Sequence, residues 1–312
     1  MAQQSSIEWC DATWNPVTGC TKVSPGCDRC YAETFAERWR GTPGHHFEVG
    51  FDLTLRPGAL TTPLRWRKPR RIFVNSMSDL FHQDVPDEYI ARVWAVMALT
   101  PHHTYQVLTK RHGRMRSLLR SGHFRQLCES AEADLVGDEA TPMPGYKRRA
   151  YLRQWWSHFA TPLPNVWLGV SVEDQQRADL RIPALLETPA AVRFLSCEPL
   201  LGPVEITDHV SQPCPCCMGE GHDPACGDCD VNRCEDGHIR MLHWVIAGGE
   251  SGTGARLMHP AWARELRDQC VQEHIPFFFK QLGTVAAREL GVPGKGTDLE
   301  LIPADLRIRE SA

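Results

Sequence analysis

The sequence has no long apolar run. Nothing in its 312 residues approaches the roughly 20 consecutive apolar positions that a membrane-spanning helix needs, so no membrane partner is expected. Its first residues, Met1-Ala2-Gln3-Gln4-Ser5-Ser6, lack the basic and apolar stretches of a secretory signal. A cytoplasmic location is expected. Positive charge is not in excess either. Lys and Arg number 34 against 38 Asp and Glu, for a net charge of −4, so any contact with nucleic acid must be local. Three common signatures are missing as well. The phosphate loop G-x-x-x-x-G-K-[ST], the dinucleotide fingerprint G-x-G-x-x-G and the metalloprotease H-E-x-x-H do not occur. Their absence removes the usual sequence grounds for a nucleotide hydrolase, a Rossmann dehydrogenase or a zinc peptidase.

Cysteine is plentiful by contrast, with 13 residues. In a reducing compartment that number points to metal rather than disulfides. The stretch around which the chain is organised is Cys20-Thr-Lys-Val-Ser-Pro-Gly-Cys27-Asp-Arg-Cys30-Tyr31, a C-x6-C-x2-C pattern. Gly19, Ser24, Pro25 and Gly26 are turn formers, able to fold the backbone back and aim several thiols at one point. Thiolates select zinc or iron–sulfur clusters. Structural zinc takes four protein ligands, whereas three cysteines on a four-iron cluster leave one iron open to substrate or cofactor. A zinc site completed by Cys10 or a distant histidine is the competing explanation.

Beyond this loop, short β-rich runs recur, each ending in polar residues. Arg71-Ile-Phe-Val leads to Asn75 and Asp79; Tyr105-Gln-Val-Leu leads to Thr109 and Lys110. Val166-Trp-Leu-Gly-Val leads to Ser171 and Glu173; Val192-Arg-Phe-Leu leads to Ser196 and Glu198. The run from Leu242 reaches Gly248-Gly249-Glu250-Ser-Gly252, and Pro276-Phe-Phe-Phe reaches Lys280. A further strand is expected near Trp14. Helical periodicity lies between the runs, over 32–40, 87–98, 174–186 and 261–273. Strands alternating with helices predict an α/β fold with a parallel sheet, either a partial or complete TIM-like (β/α) barrel or a flat doubly wound sheet. Polar strand ends favour the barrel, which gathers its active site there.

In Ser171-x-Glu173 and Ser196-x-Glu198, period two puts Ser and Glu on one face and Cys197 on the other. Lys110, Arg111 and Lys280 are candidate partners for the two carboxylates. Ordinary inter-strand ion pairs remain an alternative. Gly248 and Gly249 allow close backbone approach to a ligand, with Glu250 as a polar contact, or form a plain tight turn. Asn75, Asp79 and His82 could bind substrate or carry protons, while Ser78 or Asp79 could simply cap a helix.

Two insertions interrupt the rhythm of a single domain over 1–312. Residues 112–164 lean helical, with eight Arg and Lys residues, among them Arg114 and Arg149, beside Trp155 and Trp156. That is a composition for gripping a nucleic-acid backbone or for a solvated helical excursion. Residues 208–240 hold Cys214-x-x-Cys217 and Cys226-x-x-Cys229, a zinc-knuckle insertion with Cys216 and Cys234 as spare thiols.

Several stretches together resemble a known family. They are Trp14-Asn-Pro-Val-Thr-Gly-Cys20, Pro-Gly-Cys27-Asp-Arg-Cys30-Tyr31, Phe73-Val-Asn-Ser-Met-Ser-Asp-Leu-Phe-His82, Leu108-Thr-Lys110, Trp167-Leu-Gly-Val-Ser-Val-Glu173, Leu195-Ser-Cys-Glu-Pro-Leu-Leu-Gly202 and Trp244-Val-Ile-Ala-Gly-Gly-Glu-Ser-Gly252. This is a three-cysteine-motif family of bacteria and their phages, and the likeness runs from about residue 7 to 282. That family is similar to radical S-adenosylmethionine (SAM) proteins of the spore photoproduct lyase type. The resemblance implies a partial TIM-like barrel with a [4Fe-4S] cluster on Cys20, Cys27 and Cys30. It also implies SAM as cofactor and hydrogen abstraction by the 5′-deoxyadenosyl radical. Lys110 and Glu198 are then expected to act with the cysteines. Tyr31, Asn75, Ser171, Glu173, Ser196, Gly248, Gly249 and Glu250 are expected to bind cofactor. The sequence departs from the radical SAM signature C-x3-C-x2-C in its longer first gap and in having Arg29, not an aromatic residue, before Cys30. A nucleic-acid substrate, DNA foremost, an electron donor such as flavodoxin or ferredoxin and a monomeric state complete the expectation. A non-enzymatic zinc adaptor, or a protein whose cluster is structural or sensing, is the competing class.

Overall fold

The structure is a computed structural model that describes Ser5 and residues 7–137, 162–213, 234–235 and 238–312. Much of the basic insertion, including Arg149, Trp155 and Trp156, lies outside the described residues. So do the knuckle cysteines Cys214, Cys217, Cys226 and Cys229. Among the described residues no helix is long and apolar enough to cross a membrane.

The fold is mixed α/β. Among the described residues the strands are β1 (Ala12–Trp14), β2 (Val17–Thr18), β3 (Thr54–Leu55), β4 (Arg71–Val74), β5 (Thr104–Thr109), β6 (Val166–Ser171), β7 (Val192–Cys197), β8 (Ser211–Pro213), β9 (Cys234–Glu235), β10 (His238–Arg240), β11 (Trp244–Gly248) and β12 (Phe277–Gln281). Seven of them form a sheet in the order β1-β4-β5-β6-β7-β11-β12. All seven strands expected from the sequence are present, including the one at Trp14. The order follows the chain. A doubly wound sheet reverses its order at a switch point, and no reversal occurs here, so the flat doubly wound alternative is set aside.

The chain divides into two compact units. The first comprises residues 1–170 and 187–191. Here β1, β4, β5 and β6 pair in parallel, with Trp14 opposite Val74 and Val74 opposite Val107. β2 and β3 make a small antiparallel pair. The helices are α1 (Tyr31–Glu37), α2 (Pro57–Leu60), α3 (Asp87–Leu99), α4 (His112–Leu119) and α5 (Gly122–Gly137). Ile90, Val93, Trp94 and Met97 mark the apolar stripe of α3, yet nearly the whole helix is buried, because α5 covers another side of it. Trp94 meets Phe124 of α5 edge-on at 5.8 Å. Asp87 and Glu88 in its first turn sit where the helix dipole favours negative charge.

The second unit comprises residues 171–186 and 192–312. β7, β11 and β12 pair in parallel, and β8, β10 and β9 form a separate three-stranded sheet. The helices are α6 (Gln175–Leu186), α7 (Pro260–Gln272) and α8 (Thr284–Glu289). The outer edge of β12 is covered by the segment around residues 308–310. The Phe279 N–H donates to the Ile308 carbonyl at 2.8 Å, and the Trp244 indole donates to the Glu310 carbonyl at 2.9 Å. Such cover removes a sticky strand edge.

Candidate functional site

In the first unit the cysteine loop follows β2. Gly19 opens it with φ +84°, a conformation in which a side chain would be strained, and its N–H donates to the Met77 carbonyl at 2.9 Å. Pro25–Cys27 form a single 3-10 turn, and Cys30 then leads into α1. The turn formers therefore do fold the loop back. Cys20, Cys27 and Cys30 carry no disulfide and are all partly exposed.

The ends of β4 and β5 back this loop. Asp79 accepts hydrogen bonds from the Thr109 hydroxyl at 2.7 Å and from the backbone N–H groups of Lys110 and Phe81, each at 3.0 Å. It staples two strand ends together rather than capping a helix. Arg111 reaches the cysteine loop, with its Nη2 3.7 Å from Cys20 Sγ and 2.9 Å from Thr21 Oγ1. The buried His82 holds the same hydroxyl through Nε2 at 2.9 Å. Its Nδ1 accepts from the Asp84 N–H, which places the proton of the neutral ring on Nε2. Burial, and then Arg111, hold His82 below its ordinary pKa. Burial pushes the Cys20 thiol up, Asp79 adds to the rise, and Arg111 opposes it.

Asn75 ends β4 in the left-handed region, φ +58°, and only 3% of it is exposed. Neither atom of its carboxamide has a hydrogen-bond partner. Tyr31 lies at the opposite extreme. It is 58% exposed, and its hydroxyl donates to the Ser76 carbonyl at 2.6 Å.

In the second unit the Ser-x-Glu parity holds. The Ser196 hydroxyl points toward Glu198 Oε2 at 3.4 Å, while Cys197 on the other face is wholly buried, with its pKa raised well above normal by that burial. Glu198 pairs with Lys280 at 2.9 Å, one of the partners expected from sequence. Gly248 makes room for this carboxylate, since a Cβ there would stand 3.0 Å from Glu198 Oε1.

Glu173 is matched differently. Its partner is Arg181 on α6, whose Nη1 donates to Glu173 Oε2 at 2.8 Å and to the Ser171 carbonyl at 2.7 Å, all within the buried interior. Arg181 carries no motif that marks it in the sequence; the structure places it with Ala178, Ile182 and Leu185 on the buried face of its helix. Glu250 is held by Arg256 through three contacts, two from the guanidinium at 2.6 and 3.0 Å and one from the backbone N–H at 2.8 Å. Its carboxylate shapes the 250–256 loop. Gly249 is needed for packing, because a Cβ would press on the carbonyl of Leu282.

Among the described residues no three His, Cys, Asp or Glu side chains gather closely enough to hold a single metal ion. The donor set nevertheless suits an iron–sulfur cluster in its chemistry. Three thiols without a disulfide share one folded-back loop, and a guanidinium beside Cys20 can balance thiolate charge.

The fold and these strand ends define a sequentially wound parallel α/β protein with polar groups at the C-terminal ends of its strands. The family model described as "Protein of unknown function (DUF5131)" matches residues 4–301, and the chain belongs to that family. No curated protein and no solved structure matches it.

Proposed function

We propose that this chain is an iron–sulfur protein of the radical SAM type, built on a partial TIM-like barrel and acting on nucleic acid. The observation that carries the proposal is the cysteine loop. Three partly exposed thiols follow the first strands of a sequentially wound parallel sheet, with a cation already in contact with one of them. Cys20, Cys27 and Cys30 would hold a [4Fe-4S] cluster. When bound, such a cluster supplies the electron that cleaves SAM reductively.

The protein's own groups prepare that loop. Arg111 favours thiolate at Cys20 against burial and Asp79. Thr21, held by both Arg111 and His82, fixes the backbone beside Cys20. In the second unit Glu198 and Lys280 form an ion pair at 2.9 Å. A zinc knuckle over 208–240, DNA as the substrate and a small flavodoxin- or ferredoxin-like electron donor belong to the same proposal. The basic and tryptophan-bearing insertion supports the nucleic-acid part.

The test is iron, sulfide and zinc analysis of protein purified without oxygen, followed by SAM added to the dithionite-reduced sample. Iron with sulfide, and 5′-deoxyadenosine as product, is the expected result. A Cys27→Ala variant that melts like the parent should lose both the iron and the product. Zinc alone, with no iron after reconstitution, would overturn the proposal and make the cysteine groups structural.

A further inference from the structure

Residues 53–78 contain no Asp or Glu, and five of the seven from Arg65 to Arg71 are Arg or Lys. In a chain of net charge −4 this is a sharp local concentration of positive charge. Runs of like charge repel and usually sit in disordered tails. Here the run belongs to an ordered loop between a 3-10 turn, Thr62–Arg65, and β4. Trp66 anchors it. The ring is half-buried, with the Arg70 guanidinium 5.1 Å from its centre and His103 edge-on at 6.0 Å, and the Trp66 carbonyl accepts from His102 Nε2 at 3.0 Å. At the far end Asp11 accepts from the Arg71 N–H at 2.7 Å and faces its guanidinium at 4.0 Å. The middle of the loop is left uncompensated. Arg65, Arg67 and Lys68 are exposed, and among the described residues no carboxylate pairs with them.

We infer that the 65–71 loop is a docking surface for the phosphate backbone of double-stranded DNA. Charge complementarity carries the assignment. A duplex places one negative charge about every 1.7 Å along its axis, and unpaired Arg and Lys side chains gain by displacing its counterions. Such contacts position a protein without reading sequence. A single strand is a poorer match, because its binders also stack bases on open aromatic faces. Trp66 is the only aromatic residue from Arg65 to Arg71, and Arg70 already lies over its ring. A lipid surface is a poorer match too. Interfacial segments carry exposed apolar side chains beside their cations, whereas the exposed members of this loop are Arg65, Arg67, Lys68 and Pro69. The loop precedes β4, while the cysteine loop is held by Met77 beyond the other end of that strand. The surface therefore grips DNA without entering the cysteine site. It shares only the nucleic-acid part of the proposed function and does not depend on a cluster.

Fluorescence anisotropy of a short labelled DNA duplex of mixed sequence, titrated with the full chain as isolated over about 50 to 200 mM NaCl, tests this. The duplex should bind whatever its sequence, with affinity falling steeply as salt rises. Arg67→Gln/Lys68→Gln removes two exposed charges from the loop. It should melt like the parent, weaken binding ~10-fold or more at the low-salt end and reduce the slope of log affinity against log salt by about 2. Arg288→Gln/Lys295→Gln removes two exposed charges from the second unit and should leave both readings unchanged. Equal losses in the two variants would mean that net charge alone is being read, and would overturn the inference. So would unchanged binding in Arg67→Gln/Lys68→Gln, tighter binding of the matching single strand, or loop-dependent binding to phosphatidylserine vesicles in place of DNA. Iron is measured on the same samples. Duplex binding without iron leaves this inference standing and fails the cluster; iron without duplex binding does the reverse.

Discussion

Gly249 has no room for a methyl group. Its Cβ would press on the Leu282 carbonyl and stand 2.9 Å from Gly283 Cα, and both are backbone that cannot rotate away. Gly249→Ala is therefore expected to cost about 2 kcal/mol or more through forced displacement of the chain. Gly58, in α2, meets nothing within 4 Å. Gly58→Ala should be neutral or gain up to about 1 kcal/mol from helix propensity. Chemical unfolding of both variants beside the parent checks the pair. Equal stability for the two would mean that the 248–249 turn is loose. The same comparison shows where residue-level reading stops. Gly248-Gly249-Glu250 reads identically in sequence whether its glycines admit a ligand or a neighbouring loop, and whether its carboxylate meets a substrate or Arg256.

At the scale of elements, α6 is tied to the Ser171–Glu173 stretch of its own unit by one guanidinium. Arg181 serves both the Glu173 carboxylate and the Ser171 carbonyl with no solvent to replace it. Removing one member of such a pair leaves the other charge stranded. Arg181→Leu should destabilise by about 3–5 kcal/mol, and a Glu173→Leu/Arg181→Leu double variant by clearly less. Thermal melts of the two variants decide this, and equal losses would count against the buried-pair account. The strands themselves were legible in the sequence, because short β-branched runs, polar ends and period-two parity all survive in a primary structure. Cys197 is buried and Ser196 faces Glu198, as parity required. Of the contacts across elements, Glu198–Lys280 was among the pairings the sequence offered, and the others were not legible. Arg181 has the composition of a solvent-facing helix position, and only the packing of α6 shows that it points inward. The Asp79 staple to Thr109 was equally hidden, since Asp79 reads like a helix cap.

At the scale of the whole molecule, two buried groups set opposite pH responses. Burial, with His102 beside it, drives His103 down to about 4; burial, with Glu129 beside it, drives Glu132 up to about 7. His103 is neutral in the folded state. Its contribution is complete above the unfolded value of 6.5 and is lost as pH falls toward 4. Glu132 is protonated in the folded state. Its contribution is complete below 4.5 and is lost as pH rises through 7. Each is worth on the order of 3 kcal/mol at most, and over the same window they largely cancel. Glu132→Gln should therefore tilt the stability profile upward with pH, and His103→Phe should tilt it downward. Melting temperatures of the three proteins between pH 4.5 and 7.5 test this. Parallel profiles would mean that neither group titrates abnormally.

The strictly sequential strand order has a consequence for how the protein is made. Each strand of the seven-stranded sheet pairs only with strands adjacent to it in that order, so none must wait to be threaded between two already formed. A chain emerging from the ribosome can add each strand and its helix to an edge that already exists. The growing edge is open to other nascent chains throughout, and it closes at β12 only when the segment around residues 308–310, which follows every strand, lies down beside it.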